Sequence, residues 1–316
     1  MKKILGTVLS VCAVLALIAL SVLSGGKPLS ELQLSTLRIL LIVCGASAAY
    51  CFVVGELTRN YSQMDKLWSL LPIAYLWIMA ARDGGRPRLL LYALIVTAWG
   101  IRLTVNFARK GAYRLRFWEG NEDYRWAIVR QHPVFRRGIL WTLFNLLFIS
   151  LYQNLLVLAT TLPALACMGS DKPLGSLDAA AIVLSLAFLI LETVSDEYQW
   201  RFHEKKKALM KDGKPLSALP APYDLGFNTT GPWGVTRHPN YLGEQGLWIS
   251  LYLFAMGAGA AERGLLHPTL AGPLLLILLF MGSSTLGESI SSSKYPRYRD
   301  YMAQVSKYLP LRRFRP

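Results

Sequence analysis

The stretch "ILWTLFNLLFISLYQNLLVLATTL", Ile139 to Leu162, runs for 24 residues without a charged side chain. A helix rises about 1.5 Å per residue, so roughly 20 apolar residues cross a hydrocarbon core of about 30 Å. Comparable runs lie on both sides of it: Ile4 to Leu23, Leu37 to Val54, Leu67 to Ala81, Leu89 to Val105, Ala179 to Val194, Gln245 to Met256 and Leu270 to Leu286. The shorter ones need flanking residues to complete a crossing. With 53% hydrophobic and 17% charged residues, the 316-residue chain is too apolar for an ordinary soluble domain. The reading is an all-α fold, a polytopic integral membrane helical bundle of about eight transmembrane helices.

Two lysines precede the first run, as in a signal peptide, but that run exceeds the 7 to 15 residues of a cleaved signal and further spans follow, so an uncleaved helix is expected. Cytoplasmic loops carry the excess Lys and Arg. With eight spans and a cytoplasmic N-terminus, 26 of the 34 basic residues fall on the inner side, and both termini are expected there. The net charge of +15 is spread over loops between apolar spans. It therefore reads as topology and contact with anionic lipid, and argues against nucleic acid. Cys12, Cys44, Cys51 and Cys167 have no metal-ligand or redox spacing and read as buried thiols; no metal site is expected.

A single membrane domain is expected over 1–316, with N-terminal helices in 1–59 and a core in 60–310. Three segments on the inner side are long: 109–137, 196–244 and the tail from Glu288. The proline- and glycine-rich "GKPLSALPAPYDLGFNTTGPWG", Gly213 to Gly234, predicts an ordered loop in place of a helix.

Ionisable groups at span boundaries mark candidate sites, because the membrane interior disfavours charge. Arg102 and Glu192 are two of these. Glu192, Asp196 and Trp200 recur at i, i+4, i+8 and share one helical face. Pro239 suits a first helical turn, so in "TRHPNYLGEQGLW" a helix is expected to begin there. Asn240, Glu244 and Trp248 then form a second stripe, with Gly243 leaving room for close approach. An amide, a carboxylate and an indole offer acceptors and donors to a flat polar ring. Arg237 and His238, just outside, and Arg201 are assigned by charge and placement to phosphates. No glycine-rich dinucleotide fingerprint follows a strand, so any cofactor is bound in another way.

Several segments resemble one family. "SDEYQWRFHEKK" (195–206), "GPWGVTRHPNYLGEQGLW" (231–248) and "YPRYRDYMAQVSKYLP" (295–310) are similar to the C-terminal signature of the steroid 5-alpha-reductase superfamily. With "NYSQMDKLWSLLP" (60–72), "AWGIRL" (98–103) and "GNEDYRWAIVR" (120–130), the chain more closely resembles the bacterial membrane proteins of the DUF1295 family. The resemblance implies NADPH in a cavity open to the cytoplasm, and hydride transfer to the β carbon of an enone in a lipid such as a steroid. It implies the bacterial inner membrane as location and a hydrophobic small molecule as substrate. Asn240, Glu244 and Trp248, with Tyr241 in the same element, match nicotinamide-side positions. Asp196 matches a position that holds the cofactor from the preceding helix.

The substrate-side glutamate and tyrosine of the steroid enzymes do not align here. Tyr61 and Asp65 in "NYSQMDKLW" are the physical substitutes, able to donate to a carbonyl as enolate charge develops. The same superfamily contains S-adenosylmethionine-dependent methyltransferases with a similar R-H-P-x-Y-x-G element, which is the alternative. Glu244 favours the reductase because a carboxylate suits the two donors of a nicotinamide amide. A transporter would instead concentrate polar groups at mid-span.

Overall fold

In the computed structural model, residues 2–211, 213–261 and 264–315 are described, with side chains from residue 10 onward. Helices dominate, and among the described residues the only bridge is an isolated one between Thr236 and Ser306. The helices are α1 (Lys2–Leu23), α2 (Glu31–Thr58), α3 (Gln63–Leu67), α4 (Leu70–Arg82), α5 (Pro87–Ala108), α6 (Tyr124–Arg130), α7 (Gly138–Phe144), α8 (Gln153–Cys167), α9 (Ser176–Leu209), α10 (Pro239–Gly257), α11 (Ala271–Lys294) and α12 (Tyr298–Gln304). Each expected span is largely helical. Glu31–Thr58, Pro87–Ala108, Gly138–Cys167, Ser176–Leu209 and Pro268–Lys294 are long and apolar enough to cross a membrane, while Ser10–Leu23 and Leu70–Arg82 are shorter apolar helices. The third expected span is interrupted near Trp68, where α3 ends and α4 begins at Leu70. The protein is an all-helical integral membrane protein.

The opening stretch carries a departure from regular geometry. Between α7 and α8, Asn145–Tyr152 form a π-helix. Asn145 Nδ2 donates to Glu56 Oε1 at 2.8 Å, and Ser150 Oγ donates to Asn145 Oδ1 at 3.2 Å. Asn154 Nδ2 donates to Ser150 O at 2.7 Å and faces Cys51 Sγ. The contacts to Glu56 and Cys51 cross to α2 and are of the kind that hold helices together in lipid, while the Ser150 bonds stay within the span.

Ser30 and Gln33 form a capping box at the start of α2, and Gln33 Nε2 also reaches the carbonyls of Leu165 and Met168 at the end of α8. One side chain thereby serves two helix termini.

The chain divides into two compact units, Met1–Val183 with Ile249–Leu276, and Leu184–Trp248 with Ile277–Pro316. In the first, α4 packs on α5 and α8, and α2 packs on the π-helix and α8. A buried ion pair anchors it. Arg88 donates from Nε to Asp178 Oδ1 at 2.7 Å and from Nη2 to Oδ2 at 3.0 Å, and also to the carbonyls of Lys172 and Pro173. Gly175 N donates to the same carboxylate, so both charges have their hydrogen-bonding capacity filled. In the second unit the tail returns to the segment before α10, where Tyr298, Tyr301, Val305 and Phe314 pack with Leu225 and Phe227.

Removing one partner of a buried pair strands the other charge. Arg88→Ala is expected to destabilise the first unit by about 3 to 5 kcal/mol, whereas Arg88→Met with Asp178→Leu recovers most of that loss. Thermal unfolding of the three proteins in one detergent checks the order.

Candidate functional site

Helix α10 begins at Pro239, so Asn240, Glu244 and Trp248 do form one stripe. It lies against α9 at unusually short range. A Cβ placed on Gly243 would stand 2.6 Å from Glu192 Cβ and 2.9 Å from its backbone nitrogen, and one on Gly246 would strike the Phe188 ring at 2.4 Å. Only glycine permits this approach. Asn240 Nδ2 consequently donates to Asp196 Oδ1 at 3.1 Å, joining the two sequence-derived stripes. Asn240 Oδ1 is buried and receives no hydrogen bond from a described residue. Glu192, Glu244 and Trp248 are buried on the same pair of helices, Glu244 with 6% of its surface exposed.

The residues assigned to phosphates are placed differently. Arg237 Nε donates to Glu288 Oε1 at 2.7 Å, and its Nη1 donates to the carbonyls of Met302 and Val305. His238 Nε2 lies 2.9 Å from the same Glu288 oxygen, and the His238 ring stacks on Tyr241. Tyr241 in turn packs on Phe280, with ring centroids 4.5 Å apart. The backbone nitrogens of Arg237 and His238 donate to Ser306 O and Lys307 O. Together these groups hold the tail against the start of α10 and against α11. Arg201 is exposed and pairs with Glu197 at 2.6 Å. Lys206 reaches Gly226 O at 2.6 Å and so fixes the 213–234 loop, which consists of short 3-10 turns and contains no α-helix.

Asp65 and Tyr61 belong to the first unit. Asp65 accepts from Trp126 Nε1 at 2.8 Å, and Ser62 Oγ accepts from Asp123 N at 2.9 Å. Burial, reinforced by the nearby Asp123 charge, pushes the Asp65 carboxyl above its ordinary value, against opposition from Arg125, Ser62 and Trp126. Burial also opposes ionisation of Asp123, but its ion pair and hydrogen bonds with Arg125 hold it below the usual carboxylate range. Tyr61 is buried edge-on to Trp141, with the Arg130 guanidinium over its ring. Lys66, next to Asp65, is fully buried and donates to Phe117 O at 2.8 Å and Glu119 O at 2.7 Å. Burial pushes its ammonium down to about 8, with Asp65 opposing. The segment expected as a catalytic candidate is thus also the anchor of the 109–137 loop.

A profile of the family described as Protein of unknown function (DUF1295) matches residues 51–305, most of the chain. The chain belongs to the DUF1295 family. It is 36% identical over 268 residues to the fission-yeast (Schizosaccharomyces pombe) protein named Uncharacterized protein C594.04c, an alignment covering 81% of this chain and 74% of the relative. No solved structure gives a significant match. The match begins at Cys51 in α2 and ends at Val305, so in this DUF1295 chain it contains both the anchor at 60–66 and the Arg237–Glu288 latch.

Glu288, the hub of that latch, and Lys66 were not among the candidate residues. Glu288 carried one signal, an acid directly after an apolar run.

Burial holds the His238 imidazole below its ordinary 6.5, although Glu288 favours the protonated ring. Because the unfolded chain then takes up the proton more readily, the stability from His238 is complete above 6.5 and falls as pH drops through the interval beneath it. Protection factors of the amides at 305–309, taken relative to the intrinsic exchange rate at each pH, are expected to fall as pH drops below about 6.5, and His238→Gln to flatten that dependence.

Proposed function

We propose that the chain is a membrane-embedded NADPH-dependent reductase of a carbon–carbon double bond in an enone lipid, with its cofactor held by the α9–α10 pair. The observation that carries the reading is Asn240 Oδ1, a buried acceptor with no donor among the described residues, on a stripe shared with Glu244 and Trp248 and bonded to Asp196. An unfilled acceptor beside carboxylates suits a ring bearing N–H donors, and the nicotinamide carboxamide has two. Bound NADPH supplies a hydride. Asn240, Asp196 and Glu244 would orient the ring, and the buried Trp248 would keep water from it. The basic loops support a cytoplasm-facing site. The bacterial inner membrane remains part of the proposal, since the relative that the chain matches is fungal.

A second reading is favoured by a different observation. Arg237 and His238, expected to hold phosphates, already engage Glu288 and tail carbonyls through Nε and Nη1 of the one and Nε2 of the other. S-adenosylmethionine has no phosphate, and its ammonium and sulfonium centres also suit acceptors and carboxylates. Methyl transfer to a lipid is therefore the alternative, and a non-catalytic membrane protein is the outcome if neither cofactor binds.

Titration of the detergent-purified protein with each cofactor, followed by tryptophan fluorescence, separates the readings. Saturable NADPH binding that weakens at least about tenfold in folded Glu244→Gln supports the reductase. Binding of S-adenosylmethionine alone moves the assignment to methyl transfer.

Asp65→Asn tests the donor role expected of that residue. If the raised carboxyl gives its proton to a developing enolate, turnover of an enone substrate falls by about 10² to 10⁴ while NADPH affinity holds. If Asp65 only anchors Trp126, the amide oxygen still accepts from the indole and turnover changes little.

A further inference from the structure

The loop 109–137 joins two helices long and apolar enough to cross a membrane, Pro87–Ala108 and Gly138–Cys167, so both of its ends adjoin candidate spans. Its three carboxylates are each matched by an arginine: Glu119 by Arg116, Glu122 by Arg130 and Asp123 by Arg125. Arg114, Arg136 and Arg137 are exposed and have no acid partner among the described residues. Interleaved with them are apolar side chains turned outward. Leu115 is fully exposed, and Trp118 and Val134 expose about half of their surface (44% and 55%).

A mobile loop would hide such side chains, but this backbone is fixed. Lys66 holds the carbonyls of Phe117 and Glu119, Gln63 Nε2 donates to Trp118 O, and Asn60 Nδ2 donates to Gly120 O. Gly120 adopts φ 113°, and a Cβ there would lie 2.1 Å from Ala112 O, so the turn closes on its own stem. Leu115 and Trp118 are thus presented outward from an ordered turn, next to arginines that no acid among the described residues neutralises. Leucine and tryptophan between arginines match the interfacial region, where apolar groups enter the acyl boundary and cations meet lipid phosphates.

We propose that the 109–137 loop is a preformed contact for the membrane surface, in which Leu115 and Trp118 enter the interface and Arg114, Arg136 and Arg137 select anionic phospholipid headgroups. The contact is independent of the cofactor reading, because it uses neither α9 nor α10.

The test uses the full chain in vesicles, with Cys12 replaced by serine and an environment-sensitive fluorophore on Leu115→Cys. The expected result is blue-shifted emission quenched by lipid spin-labelled near the headgroup. Spin-labelled phosphatidylglycerol should also associate more strongly than phosphatidylcholine, a preference that falls about threefold or more in Arg114→Gln/Arg136→Gln/Arg137→Gln and with added salt. Emission at the aqueous wavelength in both lipids overturns the proposal and leaves the loop facing a soluble partner. Insertion with no preference for phosphatidylglycerol overturns the headgroup selection. The three arginines touch no described acid, so the triple variant should melt with the parent, and a lowered melting temperature also counts against the assignment.

Discussion

Hydrocarbon leaves no polar group to be satisfied by solvent, and the fold answers that constraint with helices for the backbone and with buried clasps for the side chains. Three clasps share one chemistry. Arg88 joins Asp178 to the Lys172 and Pro173 carbonyls, Lys66 gathers the carbonyls of Phe117 and Glu119, and Arg237 links Glu288 to the carbonyls of Met302 and Val305. In each, a cation with several donors converges on loop or tail carbonyls that no helix supplies with N–H. The connecting segments are thereby fixed at helix ends without strands to hold them.

Span positions were legible because they depend on composition over a long window, which needs no knowledge of partners. The start of α10 at Pro239 and the irregular 213–234 loop were legible for a local reason, the restricted backbone of proline and the freedom of glycine. The π-helix at Asn145–Tyr152 was not. Its first residue, Asn145, is bonded to Glu56, 89 positions away, a partner that no local pattern reveals. The same distance effect governs the latch. Arg237 and His238 looked available to an anion in sequence, and the acid that engages them lies about 50 positions on.

The stripes on α9 and α10 were readable separately, but their union was not. It depends on Gly243 and Gly246, whose lack of side chains lets Glu192 and Phe188 come within contact of the opposite backbone. Gly243 was singled out for close approach, and what approaches is the preceding helix. The consequence is chemical as well as steric. Close packing brings Asp196 within hydrogen-bonding reach of Asn240, which engages one N–H of the amide and leaves its oxygen as an unfilled buried acceptor.

That polarity bears on what the site is able to hold. A ligand presenting carbonyl or phosphate oxygens to Asn240 Oδ1 and the neighbouring carboxylates would meet acceptors with an acceptor, leaving buried groups on both sides without a hydrogen bond. Such a mismatch costs about 1 to 3 kcal/mol for each unsatisfied group, enough to exclude it against a donor-bearing competitor. In the proposed site, the α9–α10 packing offers Asn240 Oδ1 to an N–H or cationic group of the ligand. On that proposed reading, a choice between nicotinamide and sulfonium would fall to groups other than Asn240, and Arg237 and His238 are already engaged with Glu288 in holding the tail.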